Sequence, residues 1–211
     1  MNRIVVFLLL IVLMSCNSHS PNQELKELIQ ANEYFEFTKK KALEIVKSGF
    51  NAGDSYGEVW IRDYNTFFEL SAEVFEPGTL RENLLVFFRM QGEDGNIIDG
   101  YIPKEKASGI GYEYIFSDLE PRYAGHKNTV ETDQESSLVQ AVKKYIRVTG
   151  DETILSEVIG ERTVAQRLEE AMKFLMNNRY DESHGLLWGA TTADWGDVQP
   201  EHEWGVFFTD D

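Results

Sequence analysis

Residues 163–178 read TVAQRLEEAMKFLMNN. Val164, Leu168, Ala171, Met172 and Leu175 fall at i, i+4, i+7, i+8 and i+11, which is one face of an α-helix. The same period extends outward on both sides. Residues 132–149 place Leu138, Ala141, Val142 and Tyr145 on one face, and Gly150 stops the run. A short helix is expected near 151–159. Upstream, residues 80–91 carry Leu80, Leu84, Phe87 and Phe88 after a Pro77-Gly78 break, with Thr79 as the expected N-cap. Residues 63–75 carry Tyr64, Phe67, Phe68, Ser71 and Val74, and residues 24–48 carry Leu25, Leu28, Ile29, Ala42, Ile45 and Val46. Between them lie two irregular stretches, 92–130 and 180–200, rich in Gly, Asp and aromatic residues. Alternation is confined to short pieces in 97–103 and 112–116, where small hairpins could form. The pattern predicts an all-α fold of helical hairpins with elaborated loops. Loops longer than about fifteen residues in a compact domain are usually functional.

Composition narrows the partners. The chain has 211 residues, with 20 Lys plus Arg against 36 Asp plus Glu, a formal charge of −16. Such a surface repels phosphate backbones and argues against nucleic acid as a partner. Aromatic content is high, with 13 Phe, 9 Tyr and 4 Trp. One Cys excludes an intrachain disulfide framework and a Cys-based zinc site, and no His stands at metal-ligand spacing beside a Glu. No metal or cofactor is expected.

The first sixteen residues, MNRIVVFLLLIVLMSC, read as an address. Arg3 precedes an apolar run from Ile4 to Met14, the size of a secretory core segment and too short to span a bilayer. Leu13-Met14-Ser15-Cys16 resembles a bacterial lipobox, in which the Cys becomes the lipidated N-terminus. This implies residues 1–16 as signal peptide, 17–23 as a polar tether, and an exported lipoprotein held to a membrane, periplasmic or at the cell surface.

Four clusters could carry chemistry. Trp60-Ile61-Arg62-Asp63 sits at a loop-to-helix junction. Asp63 there can be a helix cap, or it can act with the Arg62 fork and the Trp60 face to hold sugar hydroxyls and a pyranose ring. Asp94 to Pro103 approaches a calcium loop in acidic spacing, but Ile98 stands where an oxygen ligand is required, so a turn-rich loop at a site rim is expected. In the 128–135 stretch, Asp133 and Glu135 favour a helix N-terminus, or one of them faces a polar cavity. The last cluster, Trp188 to Asp197, sets Asp194 and Asp197 on either side of Trp195-Gly196. A carboxyl beside aromatic surface has its charged form disfavoured, which suits a general acid, and the indoles of Trp188 and Trp195 supply stacking planes.

Taken together, Trp-x-Arg-Asp and the later Ala-Asp-Trp-Gly-Asp resemble the six-hairpin (α/α)6-barrel glycosidase superfamily, which includes glucoamylase-like and amylo-α-1,6-glucosidase-like hydrolases and inverting disaccharide phosphorylases. The resemblance implies that Trp60, Arg62 and Asp63 line the sugar subsite at the cleaved bond. Asp194-Trp195-Gly196-Asp197 is similar to the phosphorylase Asp-Trp-Asn-Asp element, which implies Asp197 as general acid with Asp194 as its alternate; Gly196 replaces the Asn, which weighs against phosphorolysis. The implied reaction is inverting cleavage of an oligosaccharide, with the base about 6.5–9.5 Å from the acid. Such enzymes take the base from a later hairpin, and Glu201 and Glu203 follow Asp197 too closely to fill that role. About six helical segments lie between residues 24 and 178, half those of such a toroid, so residues 24–211 are expected to be the first half of a larger catalytic domain. The competing expectation is a non-catalytic glycan-binding lipoprotein. A truncated enzyme that binds without turnover and a purely structural helical repeat are further alternatives, the last disfavoured by the long aromatic loops.

Overall fold

The computed structural model describes residues 21–51, 57–107, 114–126 and 133–187. The chain parts into two units, Met1–Glu44 and Ile45–Asp211. In the first, α1 (Pro21–Gln30) and the body of α2 (Glu33–Val46) replace the continuous helix that the 24–48 spacing suggests. The break is local: Asn32 accepts the backbone N–H of Tyr34 through its side-chain oxygen at 2.9 Å, an alternative to the helical ladder.

The second unit holds α3 (Ile61–Thr66), α4 (Phe68–Ala72), α5 (Pro77–Arg89), α6 (Gln134–Thr149) and α7 (Val164–Asn178). The helix expected over 63–75 is split at Phe67 into α3 and α4, and α5 begins at Pro77 rather than after Thr79. Pro at the first helical position lacks only an N–H that would have had no helical partner, so no side-chain cap is needed there. Helix α6 packs against α3, α4, α5 and α7. Its buried Leu138, Ala141, Val142 and Tyr145 meet Tyr64, Phe68, Leu84, Phe87 and Val164 in one hydrophobic core. Gly150 ends α6 in the left-handed region at φ 72°, which an L side chain would resist. A capping box starts α7: the Thr163 hydroxyl accepts from Gln166 N–H at 3.2 Å, while Gln166 Oε1 accepts from Thr163 N–H at 2.8 Å. The segment after α6 is a 3-10 turn over Glu152–Ser156, not an α-helix.

The all-α expectation, and with it half of an (α/α)6 toroid, is overturned by the strands. Four of them, β1 (Val59–Trp60), β2 (Gly100–Pro103), β3 (Tyr114–Ile115) and β4 (Tyr123–His126), form an antiparallel sheet in the order β1-β2-β4-β3. Two further ribbons pair β5 (Val158–Ile159) with β6 (Arg162–Thr163), and β7 (Tyr180–Asp181) with β8 (Leu186–Leu187). Alternating pieces at 97–103 and 112–116 contribute β2 and β3; β3 forms an antiparallel hairpin with the next strand β4, while β2 pairs with strands from distant segments. Both strands pair with β4, so the sheet is a mixed-class feature built from distant segments.

An ion-pair network ties this sheet to α5. Arg89 donates to Glu82 at 2.7 Å and to Glu120 at 2.9 Å, and Arg122 donates to the same two carboxylates, each at 2.7 Å. Hydrogen bonding from Arg89 holds the Glu82 carboxyl down at about 2. For Glu120, burial alone would raise the carboxyl, but the bonds from Arg122 and Arg89 outweigh it and hold it below the usual range. Tyr101 of β2 is buried against Phe87 and Tyr123, and its hydroxyl donates to Asn83 of α5. Burial pushes its phenol well above the ordinary value.

Candidate functional site where the sheet meets helices α3 and α6

The register of the sheet sets Trp60 opposite Gly100, and Gly100 opposite His126. Trp60 and His126 therefore flank a residue with no side chain, and their rings meet edge to face with centroids 5.5 Å apart. The glycine is required here. A Cβ at Gly100 would lie 2.9 Å from the Val59 carbonyl oxygen and 3.1 Å from the Trp60 ring. Strand β1 runs directly into α3, so Arg62 follows Trp60 within the first turn. Arg62 Nη1 donates to Asp133 Oδ1 at 3.2 Å, joining the start of α3 to the start of α6. The guanidinium side is 13 % exposed and the carboxylate side 40 %, so the pair opens toward solvent from the Asp133 end.

Beneath these groups lies a buried polar layer. Asp99, immediately before β2, accepts from Gln134 Nε2 on one carboxylate oxygen and faces His126 Nδ1 at 3.6 Å with the other. Its backbone is pinned as well: its N–H donates to the His126 carbonyl at 2.7 Å, and its carbonyl accepts from Ile61 N–H at 2.8 Å. Glu135 is fully buried and accepts the Ile97 N–H at 2.9 Å. Gln134 and Glu135 thus use side chains, rather than strand pairing, to satisfy the loop that precedes β2. The loop itself is fixed at Gly95, whose φ of 96° lets its backbone approach the Glu170 carbonyl of α7 closely.

The contacts form a circuit: Trp60 to His126, His126 to Asp99, Asp99 to Gln134, and the adjacent Asp133 to Arg62, two residues from Trp60. An aromatic plane, a guanidinium, a partly exposed carboxylate and an imidazole then stand at one junction. That set supplies a stacking surface beside paired donors and acceptors. Among the described residues, no three His, Cys, Asp or Glu side chains stand close enough to hold a metal ion.

Of the residues singled out from sequence, Trp60, Arg62 and Asp133 are brought together. Asp63 lies in the same turn but is not the helix cap; α3 begins at Ile61, which places Asp63 inside the first turn. Asp133 occupies the cap position of α6 without a side-chain capping bond, since its carboxylate turns to Arg62. Trp188, Asp194, Trp195, Asp197 and the lipobox Cys16 lie outside the described residues. Sequence reasoning missed Asp99, His126 and Gln134. One signal was available: Gln134 continues the core face of α6 one turn before Leu138, an apolar position filled by an amide.

In comparisons with known proteins, no family model, curated protein or solved structure matches the chain.

Proposed function

We propose that this protein is an exported, lipid-anchored glycosidase that binds an oligosaccharide at the Trp60, Arg62, Asp133 and His126 cluster and cleaves a glycosidic bond with inversion. The observation that supports the reading best is the Arg62–Asp133 ion pair beside the Trp60–His126 ring pair. A pyranose offers an apolar ring face and a rim of hydroxyls that both donate and accept, and this junction offers their complements. Asp63 adds a second carboxylate in the same turn. Asp197, with Asp194 as alternate, donates the proton to the leaving oxygen. Water attacks the anomeric carbon from the opposite face, losing its proton to a base. Cys16 carries the anchor, so the site works outside the cytoplasm. The resemblance of the Trp-x-Arg-Asp and Asp-Trp-Gly-Asp elements to sugar-cleaving enzymes supports the same reaction.

A calorimetric titration with oligosaccharides, run beside a reducing-end assay, tests this. Wild type should bind and release product, and Asp197→Asn should bind without product. Unchanged turnover in Asp197→Asn would remove the residue from the acid role. Binding by wild type with no product would instead make the protein a glycan-binding lipoprotein, a reading favoured by Asp99, a buried carboxylate of the site, being held by Gln134 rather than directed at solvent.

A further inference from the structure

The first unit carries an apolar surface that no buried residue of α1 explains. Leu25, Leu28 and Ile29 fall at i, i+3 and i+4 on one face of α1, and all three are exposed, Leu28 at 69 %. The opposite face carries Gln23, Glu27 and Gln30. On α2, Tyr34, Phe37 and Lys41 share a face by the same spacing, with Tyr34 at 71 %. Lys39, Lys40 and Lys41 form a basic block in a chain of charge −16. Exposed Leu and Ile on one helix, followed by exposed aromatics and Lys on the next, is the composition of a helix pair lying in a lipid interface. None of the described helices is long and apolar enough to cross a membrane.

We propose that the Leu25, Leu28 and Ile29 face of α1, with Tyr34 and Phe37 of α2, lies on the surface of a phospholipid bilayer that carries anionic headgroups. The position of the anchor identifies the occupant, and in this the inference rests on the lipoprotein reading. Four residues separate Cys16 from Pro21, the first residue of α1. Even fully extended, that span keeps the helix within about 18 Å of the lipidated residue. At that distance the apolar face meets acyl chains at a high effective concentration, so a weak interfacial helix is held on the membrane by the anchor. Lys40 adds attraction to anionic headgroups, while Lys41 is paired with Glu44 at 2.6 Å. The anchor and the helix then act as two attachments of the first unit to the membrane.

The test uses the full chain isolated from bacterial membranes and reconstituted in phosphatidylethanolamine–phosphatidylglycerol vesicles. Cys16 is the only native Cys, and acylation blocks it, so an introduced Cys is the one labelling position. An environment-sensitive nitrobenzoxadiazole probe is placed on Leu28→Cys or, on the polar face, on Glu27→Cys. The expected result is blue-shifted emission at position 28, quenched several-fold by brominated lipid, and water-like emission at position 27. Water-like emission at both positions overturns the proposal. Blue-shifted emission at 28 that brominated lipid does not quench also overturns it, because protein rather than lipid then covers the face. The mass of the N-terminal peptide from the same sample reads acylation separately, so failure of the anchor reading is distinguished from failure of the docking face.

Discussion

Arg62 and Asp133, separated by 71 positions, meet through a hydrogen bond of 3.2 Å that ties the first turn of α3 to the first turn of α6. Each helix start is thereby fixed relative to the other, and the Trp60 ring is carried to the edge of the same junction. A single ion pair thus joins the helix that follows Trp60 to the start of α6.

Replacing Arg62 with Ala should weaken oligosaccharide binding at least tenfold, about 1.4 kcal/mol. The folded state should lose only about 1 kcal/mol, since the partner carboxylate is well exposed. Arg62→Lys should not restore binding, because an ammonium lacks the planar fork. Titration calorimetry and urea denaturation on the same variants read the two effects separately.

Asp99 behaves differently because it is buried. Asp99→Ala leaves Gln134 Nε2 without its carboxylate acceptor in a solvent-free position, which should cost about 1–3 kcal/mol. Asp99→Asn keeps an acceptor oxygen and should cost less. Equal urea midpoints for Asp99→Ala and wild type would show that the polar layer beneath the site is not structural.

Gly95→Ala should destabilise the fold by more than about 2 kcal/mol. The substitution forces a side chain into a positive φ and pushes its Cβ onto the Glu170 carbonyl of α7. Gly78→Ala, with open space around it, is the control. Thermal melts of the two variants give the contrast.

Thr163→Ala removes the hydroxyl half of the capping box on α7 and should cost about 1 kcal/mol. Thr163→Ser should restore most of it. The measurement is the urea midpoint, with helix content followed by circular dichroism.

The Glu82 and Glu120 carboxyls lie below their ordinary value in the folded chain, Glu82 at about 2 against 4.5. A depressed folded value means that the stability they contribute is complete above the unfolded value and is lost as pH falls from about 4.5 toward 2. The urea midpoint should therefore drop across that window. Glu82→Gln should lower the midpoint at neutral pH and fall less steeply in acid; parallel curves for the two proteins would remove Glu82 from the acid response.

Helices α6 and α7 are legible in the sequence to within two residues at each end, and so is the apolar part of what they bury, except that Phe174 rather than the expected Met172 turns inward and that the buried Gln134, Glu135, Ser137 and Arg167 were not foreseen. Their backbone bonds close within four residues, so the 3.6 period of Leu138, Ala141, Val142 and Tyr145 carries its own explanation. Gly150 marks its stop by a conformational preference intrinsic to the residue. The sheet was legible only in part, for the opposite reason. Alternation in 97–103 and 112–116 marks β2 and β3, but β1 is two residues long, too short to display a period of two, and β2 finds β4 twenty to twenty-six residues downstream.

The sequence by itself determined α6 and α7, the acidic character of the chain, the apolar run that precedes Cys16, and the presence of Trp60, Arg62 and Asp133 as polar and aromatic groups beside helix starts. Tertiary structure alone decided that the fold is mixed rather than all-helical and that these groups share one site. The physical reason is register. Only when β2 pairs with β1 on one side and β4 on the other does Gly100 come between Trp60 and His126, and only the packing of α3 on α6 brings Arg62 to Asp133. No local preference in the chain encodes either meeting.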